Sequence, residues 1–237
     1  MQTILENFFT EHQNKNYQTK INKEATADWI LNNSSIPYLP LNLESVPYKE
    51  ILTEAQALDH LYVLHRSNDS KGWASLCIHG ISSQHTDHYA VYPEYANLTN
   101  DQVPYNWTEI QDRCPVTVNF FKSIFPFDVY HRIRFMRLDP GGFILPHSDS
   151  PDLSLRAVNI SLNNPDGCNF VFENIGTVPF SNTGSIFIVA NGYKHSVWNR
   201  SNETRYHIIV HGYATTHYYY DLISKSYNTL IPSVLDI

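Results

Sequence analysis

Apolar residues recur at two different periods along this chain. Before residue 70 they fall at helical spacing: Ile4, Leu5, Phe8 and Phe9 make one stripe over residues 3–13. A second short helix is expected over 23–32, around Trp29, Ile30 and Leu31. Pro37 and Pro40 hold the next stretch extended. Pro47 suits the first turn of a helix reaching about residue 66, with Ile51, Leu52, Ala55, Leu58, Leu61 and Tyr62 on its buried side. The run Ser67-Asn-Asp-Ser-Lys-Gly72 closes it with turn chemistry. From Trp73 the period shortens, and 73–79 reads as a strand. Residues 93–114, rich in Pro, Asn and Tyr, are expected as a long ordered loop with one turn of helix near Trp107. Pro115 opens a helix carrying Val118, Phe121 and Phe125. Short strands follow at 129–138, 143–147, 155–162, 168–173, 185–190, 194–198 and 204–213. Turn signals such as Asp139-Pro-Gly-Gly142, Asn164-Pro-Asp-Gly167 and Asn182-Thr-Gly184 separate them. That density of strands and turns predicts a β-sandwich or barrel, mainly β with flanking helices. A last helix is expected at 216–226, then an extended tail.

The 237 residues suit a single domain: a helical region over 1–70, a β core over 71–215, and a C-terminal helix and tail over 216–237. Charged residues are 16% of the chain, against about 25% in an average globular protein. The net charge of −7 argues against a nucleic-acid surface. The one basic run, from His131 through Arg132 and Arg134 to Arg137, reads as a solvated strand face. Three separated cysteines, Cys77, Cys114 and Cys168, fit neither a disulfide framework nor a zinc ribbon. Reduced thiols and a cytoplasmic location are expected. The first residues lack a basic segment before a long apolar core, and no apolar run is long enough to span a membrane.

Chemistry concentrates where an apolar strand ends in Pro146-His147-Ser148-Asp149. Strand side chains repeat with period two, so His147 and Asp149 can point to one side. His195 arrives much later, in Lys194-His195-Ser196-Val197-Trp198. Two imidazoles and one carboxylate on one face of a metal, with other positions open, suit non-haem Fe(II) activating dioxygen. Arg205, ten residues after His195, could hold the distal carboxylate of an oxo-acid cosubstrate by a bidentate contact. Each residue has an ordinary alternative, His195 as a backbone-satisfied hairpin histidine and Arg205 as an exposed strand residue. A second His-x-Asp pair, His85 and Asp87, lies in a loop-like stretch with His79 and His88. It has no matching distal His and Arg, and reads as surface or substrate-loop chemistry.

Residues 128–213 resemble the aspartyl/asparaginyl β-hydroxylase family of Fe(II)/2-oxoglutarate dioxygenases, with similarity also to bacterial proline hydroxylases. The matching pieces run from Leu138 to Asp149, from Leu155 to Leu162, and from His195 to Arg205. The resemblance implies a double-stranded β-helix (jelly-roll, cupin-like) core, with His147, Asp149 and His195 as iron ligands. It implies Fe(II), 2-oxoglutarate and O2 as cofactor and cosubstrates. It also implies Arg205 as partner of the distal carboxylate and Arg156 near the carboxylate next to the metal. Asp149 keeps a carboxylate that the best-known animal members have lost. Val158 stands where the family has a second imidazole. The substrate implied is a small molecule or peptide of amino-acid type, hydroxylated at a C–H. Candidate contacts to it lie in the His79–His88 stretch, the 93–107 loop, and Arg132 or Arg134. Two alternatives use the same triad: a cupin-like metal-binding module without oxygenase activity, and a metal-dependent hydrolase.

Overall fold

Side chains alternate across a strand, and in this protein both faces of the main sheet are covered. The structure, a computed structural model, describes residues 1–66 and 68–231. Its helices are α1 (Gln2–His12), α2 (Ala27–Asn32), α3 (Tyr48–Ala57), α4 (Pro115–Ser123) and α5 (His217–Asn228). Its strands are β1 (Tyr38–Pro40), β2 (Val63–Leu64), β3 (Ser70–Gly80), β4 (Asn106–Trp107), β5 (Val129–His147), β6 (Ala157–Asn163), β7 (Cys168–Phe172), β8 (Gly176–Thr177), β9 (Ser185–Val189), β10 (His195–Asn199) and β11 (Arg205–Tyr213).

The strands pair antiparallel in the order β1-β9-β6-β11-β5-β10-β7-β8, with β3 added to β5 and β2 and β4 added to β3. The sheet curls on itself because β5 belongs to both halves. Its residues Val129–Leu138 pair with β11, and Phe143–His147 pair with β10. The result is the jelly-roll expected from the sequence: a mainly β core with flanking helices.

Three apolar clusters hold it together. Ile133, Phe135, Val158, Ile160, Ile188, Ile208 and Val210 point outward from the larger half of the sheet onto α2, α3, α4 and α5. Trp73, Met136, Ile144, Phe170, Phe172, Phe187 and Val197 fill the space between the halves. Leu5, Phe8 and Phe9 of α1 cover the other side of the smaller half, against Val171, Phe143 and Trp198. Ile4 does not join them and is 59% exposed; His12 completes the buried stripe instead.

Four local expectations are corrected. The third helix stops at Ala57 rather than about residue 66, and the chain crosses a short turn into β2. The carboxylate of Asp59, at that turn, accepts hydrogen bonds from the Tyr206 hydroxyl at 2.8 and 2.9 Å. This tertiary partner overrides helical periodicity. Trp107 lies not on a helical turn but on β4, paired with His79 of β3. Asp139-Pro-Gly-Gly142 does not reverse the chain; it is the bend that carries β5 from one half-sheet to the other. A Cβ on Gly142 would lie 2.8 Å from the carbonyls of both Asp139 and Lys71, so only glycine permits this approach to β3. The His131–Arg137 run is not a solvated face, because its even-numbered residues point between the half-sheets. The expected extended tail lies outside the described residues. No helix among the described residues is long and apolar enough to cross a membrane.

Candidate active site

The open end of the barrel holds His147 at the end of β5, His195 at the start of β10, and Asp149 two residues beyond β5. His147 and His195 face each other in the β5–β10 ladder, with ring centroids 4.5 Å apart. One potential ligand atom from each of the three residues lies within 4.8 Å of the others. His147 Nε2 is 3.4 Å from Asp149 Oδ1, and His195 Nε2 is 3.9 Å from Asp149 Oδ2.

The tautomers follow from the other ring nitrogens. Nδ1 of His147 is 2.8 Å from the Leu145 carbonyl, and Nδ1 of His195 is 2.8 Å from the Tyr193 carbonyl. A carbonyl only accepts, so each Nδ1 carries a proton and each Nε2 offers its lone pair to the shared centre. This backbone orientation of a ring is the usual support of a ligating histidine. Asp149 is held as well. Its Oδ1 accepts from Arg66 Nη1 at 3.0 Å, its Oδ2 accepts from the Asn191 amide at 3.2 Å, and its backbone N–H donates to the Asn191 carbonyl at 3.0 Å. Burial opposes its charge, but the His147 hydrogen bond and the neighbouring His195 keep its carboxyl well below the ordinary range. Burial and the His147 charge lower His195 to about 4, leaving it neutral near pH 7. His147 is raised: burial works against its charge, but hydrogen bonds to Asp149 and Leu145 prevail. A proton and a metal ion therefore compete for its Nε2. Two imidazole lone pairs and an ionised carboxylate form a donor set that fits a divalent ion such as Fe(II).

A cavity of about 230 Å³ opens beside this centre. Arg205, Phe170, Met136, Ile209 and His207 are among its lining. Arg205 is 5% exposed. Its Nε donates to Asn164 Oδ1 at 3.3 Å, and its Nη2 lies 2.8 Å from His207 Nδ1. Arginine only donates, so His207 Nδ1 accepts and its proton sits on Nε2. That Nε2–H is buried without a partner. Burial lowers the pKa of Arg205, and burial together with the Arg205 charge drives His207 well below its ordinary value. No carboxylate among the described residues lies within ion-pair distance of Arg205. A buried charge and an orphaned donor side by side fit a carboxylate arriving from outside the protein.

The profile of the Aspartyl/Asparaginyl beta-hydroxylase family matches residues 47–214. The chain belongs to that family. It is an Fe(II)/2-oxoglutarate-dependent hydroxylase that uses O2. No curated protein sequence matches it. Among solved structures it is similar to a Pseudomonas putida prolyl-4-hydroxylase, at 14% identity and a TM-score of 0.42, over 79% of this chain and 98% of that one. It is also similar to a 2OG-Fe(II) oxygenase family oxidoreductase from Burkholderia pseudomallei, at 14% identity and a TM-score of 0.41, over 82% and 95% of the two chains. A third is the viral collagen prolyl hydroxylase of Paramecium Bursaria Chlorella virus-1, at 12% identity and a TM-score of 0.39, over 76% and 97% of the two chains.

Not every residue singled out in the hydroxylase's sequence reaches the cavity. His147, Asp149, His195 and Arg205 line it, as do Arg132, Arg134 and His88. Arg156 does not. Its side chain is 53% exposed, with Asp152 at 3.5 Å and Asn32 at 2.9 Å. Strand parity explains this: Ala157 and Asn159 face the cavity, so positions 156 and 158 point the other way, and Val158 is in the helix-covered core. No residue of the 93–107 loop lines the cavity. His85 and Asp87 part company: His85 pairs with Ser82 and lies 3.6 Å from Glu94, whereas Asp87 reaches Arg66 at 3.9 Å. His207 was legible from the sequence, since it shares the parity of Arg205. Arg66 and Asn191 were not, because they come from loops whose fold brings them to Asp149.

Proposed function

We propose that His147, Asp149 and His195 hold the Fe(II), that Arg205 and His207 hold the distal carboxylate of 2-oxoglutarate, and that the substrate is an amino acid, free or within a peptide. The observation that carries this reading is the shared cavity: a His-Asp-His cluster at one wall and a buried guanidinium without an acid at another. In the overall reaction a substrate C–H becomes C–OH. One oxygen atom of O2 enters that hydroxyl and the other enters succinate, while 2-oxoglutarate loses CO2.

Bound Fe(II) supplies the activation of dioxygen that a side chain cannot. The protein's own residues orient and exclude. The Leu145 and Tyr193 carbonyls fix the two imidazoles, and Arg66 and Asn191 fix the carboxylate. Arg205 and the Nε2–H of His207 give the distal carboxylate charge-assisted hydrogen bonds in a site shielded from water. Phe170, Phe180 and Met136 keep that pocket apolar. A metal-binding module has no use for a buried Arg205. A hydrolase would need a general base beside the metal, and the one carboxylate lining the cavity, Asp149, is already in the metal cluster.

Anaerobic addition of 2-oxoglutarate to the Fe(II)-loaded protein should produce a weak visible charge-transfer band. His147→Ala and His195→Ala should lose metal and band together, while His85→Ala keeps both. A folded wild-type protein that binds Fe(II) yet shows no band at saturating 2-oxoglutarate would refute the assignment. So would metal loss in His85→Ala alone.

A further inference from the structure

A guanidinium can grip a carboxylate with two hydrogen bonds in two ways: side-on through Nε and one Nη, or end-on through both Nη atoms. In Arg205 the first way is blocked. Its Nε carries a single hydrogen and donates it to Asn164 Oδ1 at 3.3 Å. Nη2 gives one of its two hydrogens to His207 Nδ1 at 2.8 Å. Both hydrogens of Nη1 and one of Nη2 are left, and they form the end-on fork.

Asn164 opens the turn Asn164-Pro165-Asp166-Gly167, which joins β6 to β7. Its amide nitrogen donates to the Cys168 carbonyl at 2.9 Å, which leaves its oxygen for Arg205. Asn163, just before it, ties the same strand end to β11. The Asn163 amide nitrogen donates to the Thr204 carbonyl at 2.9 Å, and its oxygen accepts from the Tyr206 N–H at 2.7 Å. Two consecutive asparagines thus hold Arg205, one by the backbone on either side of it and one by its guanidinium. Phe180 covers another approach, with its ring centroid 5.9 Å from the guanidinium carbon and 4.7 Å from the His207 ring.

Turn formation explains the bond from Asn164 to Cys168. It does not explain the acceptor aimed at Nε, nor why that acceptor is an amide. Aspartate suits such a turn as well as asparagine does. It would also bond Nε more strongly, because one partner would be ionised. A carboxylate there would, however, neutralise Arg205 and repel an incoming dianion. An amide oxygen orients the guanidinium and leaves its charge for the ligand.

We propose that Asn164 is a positioning residue that selects the cosubstrate by length. By engaging Nε it confines the distal carboxylate to the Nη edge of Arg205, which fixes the span from that carboxylate to the His-Asp-His cluster. This rests on the oxygenase reading above and deepens it. A 2-oxo diacid one methylene shorter or longer than 2-oxoglutarate then fits one end of the site but not both.

Protein loaded with Fe(II) under anaerobic conditions is titrated by calorimetry with 2-oxoglutarate, with oxaloacetate (one methylene shorter) and with 2-oxoadipate (one longer). The wild-type protein should prefer 2-oxoglutarate by about 10- to 200-fold, the scale of one methylene in a fitted pocket. Asn164→Ala frees Nε for a side-on grip, so this preference should shrink several-fold. Asn164→Asp keeps the turn and the acceptor but adds a charge, and should weaken binding of all three diacids about tenfold or more. Fe(II) affinity should hardly change in either variant, because Asn164 lies outside the metal cluster. If Asn164→Ala does not fold, Asn164→Asp decides, since a purely structural role predicts wild-type binding there. Equal binding of the three diacids by the wild-type protein, an undiminished preference in folded Asn164→Ala, or wild-type affinity in Asn164→Asp would overturn the proposal. Failure of the wild-type protein to bind any of the three would instead overturn the oxygenase reading beneath it.

Discussion

The two faces of β11 differ more than any two regions of the hydroxylase. Tyr206, Ile208 and Val210 point outward and pack beneath the helices as ordinary core. Arg205, His207, Ile209 and His211 point inward and line the cavity. One strand thus carries a dry, self-satisfied face and a face with buried charge and an unpartnered donor. The lesson is a division of labour. The outer face supplies the free energy of folding, and the inner face carries groups that lower stability until a ligand satisfies them.

The sharpest way to break this comparison is Arg205→Ala. On the scale of about 2–5 kcal/mol for truncating a buried charge pair, affinity for 2-oxoglutarate should fall tens- to thousands-fold, with Fe(II) binding retained. Arg205→Lys should fall between the two. Wild-type cosubstrate affinity in a folded, metal-binding Arg205→Ala protein would place the clamp elsewhere.

The neighbouring Ile208→Ala should do the reverse. Removing a fully buried side chain from the helix-covered core should cost about 2–5 kcal/mol of stability in a denaturant titration. Cosubstrate affinity of the folded fraction should hardly change. A variant that keeps its stability but loses 2-oxoglutarate would erase the distinction between the faces.

The smallest effect is a pH dependence belonging to the inner face alone. His207 is 1% exposed, and burial followed by the Arg205 charge depresses its pKa well below 6.5. Below pH 6.5 the unfolded chain takes up a proton that the native state does not, so stability falls as pH falls. For this residue the slope approaches about 1.4 kcal/mol per pH unit below 6.5. Replacing His207 by Phe should flatten stability between pH 6.5 and 5 by that amount. An unchanged profile would mean that His207 is already charged in the native state.

Much of this could be read before any coordinates. The strand density after residue 128, the His147–Asp149 pair at a strand end and the distal His195 each leave a local signature, because side-chain direction in a strand is set by parity. The helix expected to reach residue 66 failed for the opposite reason: the hydrogen bonds of Asp59 to Tyr206 span the chain and have no local period. Arg156 failed by parity itself, since the inward residues of β6 are Ala157 and Asn159. The basic run at 131–137 looked like a solvated face because one sequence cannot say how many sides of a strand are buried.

The sequence by itself determined the mainly β architecture of this protein and pointed to the residues of its His-Asp-His cluster, because both follow from patterns of polarity and spacing along the chain. Only the tertiary structure decided which face of β11 is the interior, that Arg66 and Asn191 converge on Asp149, and that Asn164 meets Arg205. Those facts depend on which distant segments meet, and a polar group's energy is set by the partners it finds there.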